Sequence, residues 1–494
     1  MYTPTIDTMR ELRSQGNLCP LFREILADLE TPVSAFLKIT RSGPAFLLES
    51  VENGNQVNRY SFLGADPYMT LRMDQGGALA TQGGYKQTQT YTDPLAVLAS
   101  YVDAYLPVRL PDLPRFVGGA VGYLGYEAAG NFERLPRPGP GAYSMPEGWW
   151  MFVDTLLVFD HVKHKIKVVS HVHLDAEDLE AEYARAVGKI DDVIARLRQP
   201  LPAPAVQQQV GTLADTPPAV FESNVTREQY FASVAKAQEL VFAGDIFQVQ
   251  ISQRFSRKTS ADSFTIYRAL RTINPSPYMF YIRTGEGDLV GASPEMLVRV
   301  EDGAVETHPI AGTRWRGRSA AEDEELAAGL LADEKECAEH LMLVDLGRND
   351  IGRISVPGSV AVPRLMTIEM FSHVMHIVSV VTGQLRPDMT PLDALRANFP
   401  AGTVTGAPKI RAMEVIAELE GEQRGIYAGA VGHVGFNGDL DTCIALRTMV
   451  VKDGVAYAQA AAGVVADSTP EYEYNESKNK AAALLRAVEL AETL

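Results

Sequence analysis

Acidic residues at helical spacing are the first groups in this 494-residue sequence that could do chemistry. Glu473 and Glu476 lie three apart in a C-terminal run, from about Ser468 onward, that reads as a helix, so they share a face. Like charges so placed repel by roughly a few tenths of a kcal/mol unless a cation or water lies between them. Spacing alone favours a solvated face, with Glu476 paired to Lys480 four residues on. Glu339 shares a helical face with Leu343 and Leu346, which makes it partly buried. A carboxylate in that position needs a cationic side chain or a metal. Carboxylates with water suit Mg²⁺, which usually takes one or two protein carboxylates.

Other groups could act on a ligand. Arg447 reads as inside a long strand, on a face shared with Cys443, Ala445 and Met449. Those small neighbours leave room for a carboxylate, whether from a ligand or from the protein itself. Tyr427 begins the adjoining strand and offers a hydroxyl to the same space. Glu295, in Ser293-Pro294-Glu295, is a general acid if burial raises its pKa and a surface turn residue otherwise. Ala401 to Lys409 is a glycine-rich loop leading into a helix, and its amides could bind an anion. It lacks the Walker spacing and has Pro408 before Lys409, which excludes a nucleotide phosphate loop. Ala461-Ala462-Gly463 lets backbone approach a ligand, or a neighbouring sheet strand, closely. His373 and His376 are three apart with no third nitrogen or sulfur ligand nearby, so zinc is not indicated.

The elements that must position these groups follow from periodicity. The N-terminal part reads as strands, at Ala45–Leu48, Tyr60–Leu63 and Trp149–Asp160, then a charged helix from Asp175 to Leu197. Gln199 to Pro218 is rich in Pro, Gln and Ala and divides the chain into a region 1–198, a linker 199–222 and a region 223–494. Thr226-x-x-Gln229 opens a helix as a capping box and Gly244 stops it. Phe247, Val249 and Ile251 alternate with Gln248, Gln250 and Ser252 in the strand that follows. Glu322 to Leu346 reads as one helix, and Tyr427 to Val465 as a three-stranded antiparallel meander with turns at Asn437-Gly438 and Asp453-Gly454. Ser468-x-x-Glu471 is a candidate cap for the last helix. The expected class is α+β: mostly antiparallel sheets packed as a sandwich, with helices on the outside.

Composition limits the partners. The content is 46% hydrophobic and 22% charged, ordinary for a globular protein. Forty-five basic against 62 acidic residues give a net charge of -17, which argues against nucleic acid or an anionic membrane. Cys19, Cys337 and Cys443 are too sparse for a disulfide framework and point to a cytoplasmic setting. The first residues do not form a signal peptide, and no apolar run has the length of a membrane span.

In order along the chain, these pieces resemble the anthranilate synthase component I family of chorismate-utilising enzymes. The likeness is densest from Gln248 to Lys480 and strongest in His308–Arg314, Ala338–Leu346, Gly347-Arg348-Asn349-Asp350, Thr403–Lys409 and Asn475–Lys480. The resemblance implies Mg²⁺ on Glu339 and Glu476, with Glu473 near the ion, holding the ring carboxylate of chorismate. It implies Lys480 and the Gly463 backbone beside that carboxylate, and Arg447 with Tyr427 on the enolpyruvyl carboxylate. Ala311, Gly312, Thr313 and Thr403 would line the pocket. Glu295 matches the acid for the C4 hydroxyl, and His376 matches the histidine of the later elimination. Related aminodeoxychorismate synthases carry a nucleophilic lysine where Ala311 stands, and an alanine cannot attack. Isochorismate synthases usually carry a water-activating lysine where Gln248 stands, and a glutamine cannot be that base. Aminodeoxychorismate synthase component I is the runner-up, and a non-catalytic chorismate or tryptophan sensor is an alternative of another class. With no glutamine-hydrolysing elbow in the chain, the resemblance implies a separate glutamine amidotransferase subunit as the source of ammonia. It also implies a feedback site for tryptophan at Glu49, Ser50, Arg59, Tyr60, Ser61, Pro275, Tyr278 and Met279.

Overall fold

The computed structural model describes residues 1–50, 59–202, 221–371 and 374–494. Among these, two twelve-stranded sheets with antiparallel pairings form the frame. The first sheet runs from an edge at Leu18–Leu26 to one at Glu222–Ser223, and the second from Ile310–Trp315 to Tyr85–Thr90. Phe46, Phe280 and Ile282 of the first meet Val121, Trp149 and Met151 of the second in the core between them. The outward faces carry apolar side chains too, and helices cover them. Pro32–Ile39, Leu179–Leu197, Ser263–Ile273 and Pro470–Ala491 pack on the first sheet. Pro94–Val102, Glu334–Gly352 and Pro391–Asn398 pack on the second sheet or on each other above it. The expected α+β sandwich is the observed fold.

Local signals act where the sequence places them. Thr226 Oγ1 accepts from Gln229 N at 3.2 Å and the Gln229 side chain accepts from Thr226 N at 2.8 Å, so the capping box forms. Gly244 follows that helix at φ 81°. The regions 1–198 and 223–494 are interleaved, because Ala45–Glu49 pairs with Tyr278–Arg283 and Gly119–Leu124 with Ala430–Gly435. Most of the linker 199–222 falls on 203–220, outside the described residues, while Glu222 at its end is already in a strand.

Several sequence expectations are corrected where the chain changes sheets. Trp149–Asp160 is two strands, Gly148–Val153 in the second sheet and Thr155–Asp160 in the first. The meander has four strands: Ala430–Gly435 and Leu440–Ile444 in the second sheet, Thr448–Lys452 and Val455–Val464 in the first. Arg447 is therefore not inside a strand but at a crossing, with φ 46°, and Tyr427 precedes its strand rather than beginning it. Ser293-Pro294-Glu295 is another crossing, between Asp288–Ser293 of the first sheet and Met296–Glu301 of the second. The helix expected over Glu322–Leu346 is two, Ala320–Leu331 and Glu334–Gly352, because Asp333 caps the second by accepting from Lys335 N and Glu336 N. Ser468 does not cap the last helix; its hydroxyl accepts from Val465 N, and the helix starts at Pro470.

A buried guanidinium ties the region around the glycine-rich loop together. Arg424 is 1% exposed and donates to Glu420 at 2.8 and 2.6 Å, to Val404 O at 2.8 Å and to Gln250 O at 2.7 Å. It stacks on the rings of Tyr126 and Tyr427. Removing one member of a buried, hydrogen-bonded pair leaves the other charge uncompensated. Arg424→Met is expected to lower stability by about 3–5 kcal/mol, read from the urea midpoint. An unchanged midpoint would show that the pair contributes nothing to holding these segments.

Candidate active site

The crossings at Glu295 and Arg447 lie side by side. Ile444 N donates to Glu295 O at 3.1 Å, Ser293 Oγ to Ile444 O at 2.7 Å, and Ala292 N to Arg447 O at 3.0 Å. Glu295 and Arg447 are close enough for each to feel the other's charge. Glu295 is 6% exposed. Burial pushes its carboxyl up to about 8, against the opposing pulls of the Thr403 hydroxyl, the Ile310 backbone, Lys480 and Arg447. At neutral pH it is mostly protonated, the state of a proton donor. Burial also pushes the Arg447 guanidinium down. Among the described residues Arg447 makes no salt bridge and Glu295 is the acidic group whose charge it feels, which leaves its guanidinium available to a carboxylate.

His376 has the opposite protonation. Its Nδ1 lies 3.0 Å from Gly312 O and 3.1 Å from Thr313 Oγ1. A carbonyl only accepts, so this contact assigns the hydrogen to Nδ1 and the lone pair to Nε2. Burial pushes the imidazole down to about 4, which keeps it neutral. The local cause is Gly312, at φ 68°, where strand Ile310–Trp315 bulges against Val374–Gln384 and Gly312 O meets His376. Ala311 pairs with Ile377 just before the bulge. His373 lies outside the described residues.

The acidic end is built by two helices. Gln248 Nε2 donates to Glu339 Oε1 at 2.6 Å. A Cβ on Gly463 would fall 2.7 Å from Gln248 Nε2 and 2.8 Å from Gln250 Nε2, so a side chain there would push these amides aside. Glu473 is 4% exposed, and burial pushes it up to about 7, with Ser468 opposing and neighbouring Glu476 reinforcing. Glu476 pairs with Lys480 at 2.7 Å, as their spacing suggested, and Lys480 also donates to Ala461 O at 3.1 Å. Tyr427 is buried, its phenol near the Ala461 backbone. The sequence reading missed Lys335, which pairs with Asp467 at 3.0 Å and feels both Glu339 and Glu473. Its position four residues before Glu339 was the available signal.

Three buried polar atoms in this set have no protein partner: Gln248 Oε1, His376 Nε2 and Glu473 Oε2. Buried polar atoms are normally satisfied, so their grouping among these residues marks the place of a polar ligand. No preassembled cluster of three metal ligands occurs among the described residues. An orphaned carboxylate oxygen on Glu473, with Glu476 adjacent and Glu339 on the facing helix, nevertheless fits Mg²⁺, which fills most of its shell with water.

A separate cavity of about 780 Å³ backs onto the same crossing, with Pro294 and Met296 in its wall. It brings together Glu49, Ser50, Arg59, Tyr60, Tyr278 and Met279. Ser61 and Pro275 are not on its wall, whereas Pro277 is; Ser61 is buried against His161 at 2.7 Å. The Glu49 carboxylate accepts from Tyr267 at 2.6 Å and from Arg271 at 2.9 and 3.1 Å.

The chorismate binding enzyme pattern matches residues 43–486. Anthranilate synthase component 1 of Acetivibrio thermocellus is 46% identical, over 99% of both chains, and that of Pseudomonas aeruginosa is 45% identical over 96% of both. The crystal structure of anthranilate synthase component I from Streptococcus pneumoniae superposes with a TM-score of 0.77 at 38% identity, covering 94% of this chain and 99% of that one. The menaquinone-specific isochorismate synthase from Escherichia coli shares the fold, with a TM-score of 0.69 at 19% identity. The chain belongs to the chorismate binding enzymes and, among them, to the anthranilate synthase component 1 family.

A group that works as an acid is active while protonated. With free ammonia held constant, kcat is therefore expected to be full well below pH 8 and to fall as pH rises through about 8. Glu295→Gln should lose about 10²–10⁴-fold in rate and lose that limb of the profile. A variant that keeps both would assign the proton donor elsewhere.

Proposed function

We propose that this chain is the chorismate-binding subunit of anthranilate synthase, converting chorismate and ammonia to anthranilate and pyruvate. The observation that carries the reading is the opposed pair: a protonated Glu295 and a neutral His376 whose buried Nε2 has no protein partner, both close enough to Arg447 and Lys480 to feel their charge. Environments that push two titratable groups apart define an acid and a base.

Chorismate is a dianion and this protein carries a net charge of -17, so the site must supply positive charge locally. Arg447 pairs with the enolpyruvyl carboxylate, and Tyr427 donates to it. Glu339 and Glu476 would hold Mg²⁺, with Glu473 reaching it through water. Bound there, the ion neutralises the ring carboxylate, beside Lys480 and the Gly463 N–H. Glu295 gives its proton to the C4 oxygen as that C–O bond breaks and ammonia bonds to C2. His376 Nε2 then takes the C2 proton as pyruvate leaves and the ring becomes aromatic. Ala311 has no nucleophile, so no covalent link to the protein forms.

The ammonia comes from a glutamine amidotransferase subunit. Support for such a partner is the exposed apolar surface next to the site: Phe242, Phe247 (71% exposed), Leu341 and Tyr472 adjoin the elements that carry Gln248, Glu339 and Glu473. The 780 Å³ cavity, whose wall mixes aromatic and apolar side chains such as Tyr60, Phe62, Tyr278 and Phe280 with charged ones such as Arg59, Arg299 and Asp441, suits tryptophan, an amino acid with an indole, as a feedback inhibitor. No helix among the described residues is long and apolar enough to cross a membrane, and the three free cysteines fit a cytoplasmic setting.

The test is chorismate with Mg²⁺ and an ammonium salt, followed by anthranilate fluorescence. Release of aminodeoxychorismate alone, or a lysine adduct in protein quenched during turnover, would place the chain in another branch. Glu339→Gln keeps shape and removes charge, so it is expected to raise the Mg²⁺ concentration needed for half-maximal rate at least tenfold or so. The same Mg²⁺ dependence in a folded variant would remove Glu339 from the metal site.

A further inference from the structure

Hydrogen bonds hold His376 at one corner. Its Nδ1 meets Gly312 O and Thr313 Oγ1, while its Nε2 has no protein partner. The torsion of an aromatic ring about its bond to Cβ is broad, so a bond at Nδ1 leaves Nε2 room to swing. The ring of Phe371 limits that swing. The two rings form a T-shaped pair, with centroids 5.1 Å apart and planes at 75°, an arrangement that aromatic rings favour. Phe371 is buried, and the reaction as described gives it no part.

The same phenylalanine belongs to the wall of the 780 Å³ cavity, beside Ile368, Met370 and Arg316. Phe371 therefore touches both the cavity and the imidazole. Its backbone is pinned on each side. Its N–H donates to Val374 O at 2.8 Å, and its carbonyl accepts from Arg316 Nη1 at 2.8 Å. Asp323 grips Arg316 in turn, accepting from Nη2 at 2.6 Å and from Nε at 3.0 and 3.1 Å. A ligand in the cavity can thus press on Phe371 and on the guanidinium that anchors its backbone.

We propose that Phe371 is a positioning residue: it keeps His376 Nε2 aimed at the C2 proton during the elimination, and a ligand in the cavity slows that step by shifting this ring. The inference rests on His376 being the base of the proposed reaction and on tryptophan being the ligand of the cavity. Phe371 forms and breaks no bond itself. It acts through the imidazole, and a misplacement of about 1 Å in a reacting group can cost on the order of 10²-fold in rate. The effect belongs to the second half of the reaction. Amination depends on Glu295, which the crossing at Pro294 holds separately, so that half is expected to survive a change at Phe371.

Two variants of the full chain test this with Mg²⁺ present. Phe371→Leu removes the ring and keeps an apolar side chain, whereas Phe371→Tyr keeps the ring. Supplied with the aminated intermediate, aminodeoxyisochorismate, Phe371→Leu should make anthranilate about 10- to 100-fold more slowly than the parent at a KM within about twofold, and Phe371→Tyr should stay within about threefold. Initial consumption of chorismate with ammonia should stay within about threefold in both, so Phe371→Leu releases the intermediate. Saturating tryptophan should slow elimination in the parent. In Phe371→Leu, calorimetry should still show tryptophan binding, yet the remaining elimination rate should change less than about twofold. A parent that makes no anthranilate would defeat the proposed function itself, and a working parent that binds no tryptophan would defeat the feedback reading of the cavity. A working, tryptophan-binding parent beside a folded Phe371→Leu that eliminates at the parental rate would defeat only this inference. Equal losses in the Leu and Tyr variants would also overturn it, because the ring would then not matter. A readout on the parent needs no variant to be active: with histidines isotopically labelled and His376→Gln used for assignment, tryptophan should move the His376 ring signals in the NMR spectrum. Signals that stay in place while tryptophan binds overturn the coupling.

Discussion

Everything at this site depends on the chain passing from one sheet to the other twice at the same place. A strand inside a sheet commits its backbone to the ladder and its side chains to two packed faces. Residues at a crossing are released from the ladder and can aim polar groups into the space between elements. Here Glu295 crosses in one direction and Arg447 in the other, and the two crossings are hydrogen-bonded to each other. An acid and a cation are therefore set beside one another by backbone rather than by flexible side chains. Arg447 has positive φ, which a non-glycine residue adopts only when its surroundings impose it. The Ala292 N–H bond to its carbonyl is part of what imposes it.

The same arrangement explains the electrostatics. The protein as a whole repels anions, so a dianion must be met by charges that are fixed and poorly solvated. Arg447 is such a charge: it is buried and, among the described residues, forms no salt bridge. On the opposite side, Lys335 and Lys480 stand among Glu339, Glu473 and Glu476, which keeps a dense group of carboxylates tolerable before any cation arrives. Arg424 performs the structural counterpart. It binds the loop after Gly402, the strand that carries Gln248, and the ring of Tyr427 through one buried charge, and so sets the spacing of three site segments together.

Much of this was legible in the sequence, and the failures have a common cause. The sandwich class, the capping box at Thr226 and the pairing of Glu476 with Lys480 follow from periodicity and spacing, which are local. Arg447 was misplaced because Cys443, Ala445 and Met449 keep their alternation through the crossing. Alternation reports that a residue is extended, not which sheet it belongs to. Trp149–Asp160 misled for the same reason. The break at Asp333 was hidden because a capping aspartate in a charged, apolar-periodic stretch reads like any other helical acid. Ser468 was assigned to the wrong role because its hydroxyl chose Val465 N, a choice set by the loop that brings Asp467 to Lys335. The protonation states of Glu295 and His376 were beyond sequence, since both are set by burial contributed from distant segments.

The crossing at Pro294 also bears on how the two large spaces communicate. Alternate residues of an extended segment face opposite sides, so Glu295 looks into the catalytic region while Pro294 and Met296 form the wall of the 780 Å³ cavity. Ile310 and His308 line that cavity as well, and Ala311 and Gly312, just beyond them, lead to the carbonyl that fixes the His376 tautomer. Glu295 and His376, the acid and base of the proposed reaction, are thus each one or two residues from the cavity wall. A ligand that fits the cavity only when these segments shift would move both groups at once, and chorismate bound across them would resist the shift by the same free energy. If the proposed inhibitor binds that cavity, antagonism with chorismate needs no long relay, because a single layer of backbone separates the cavity from Glu295 and His376.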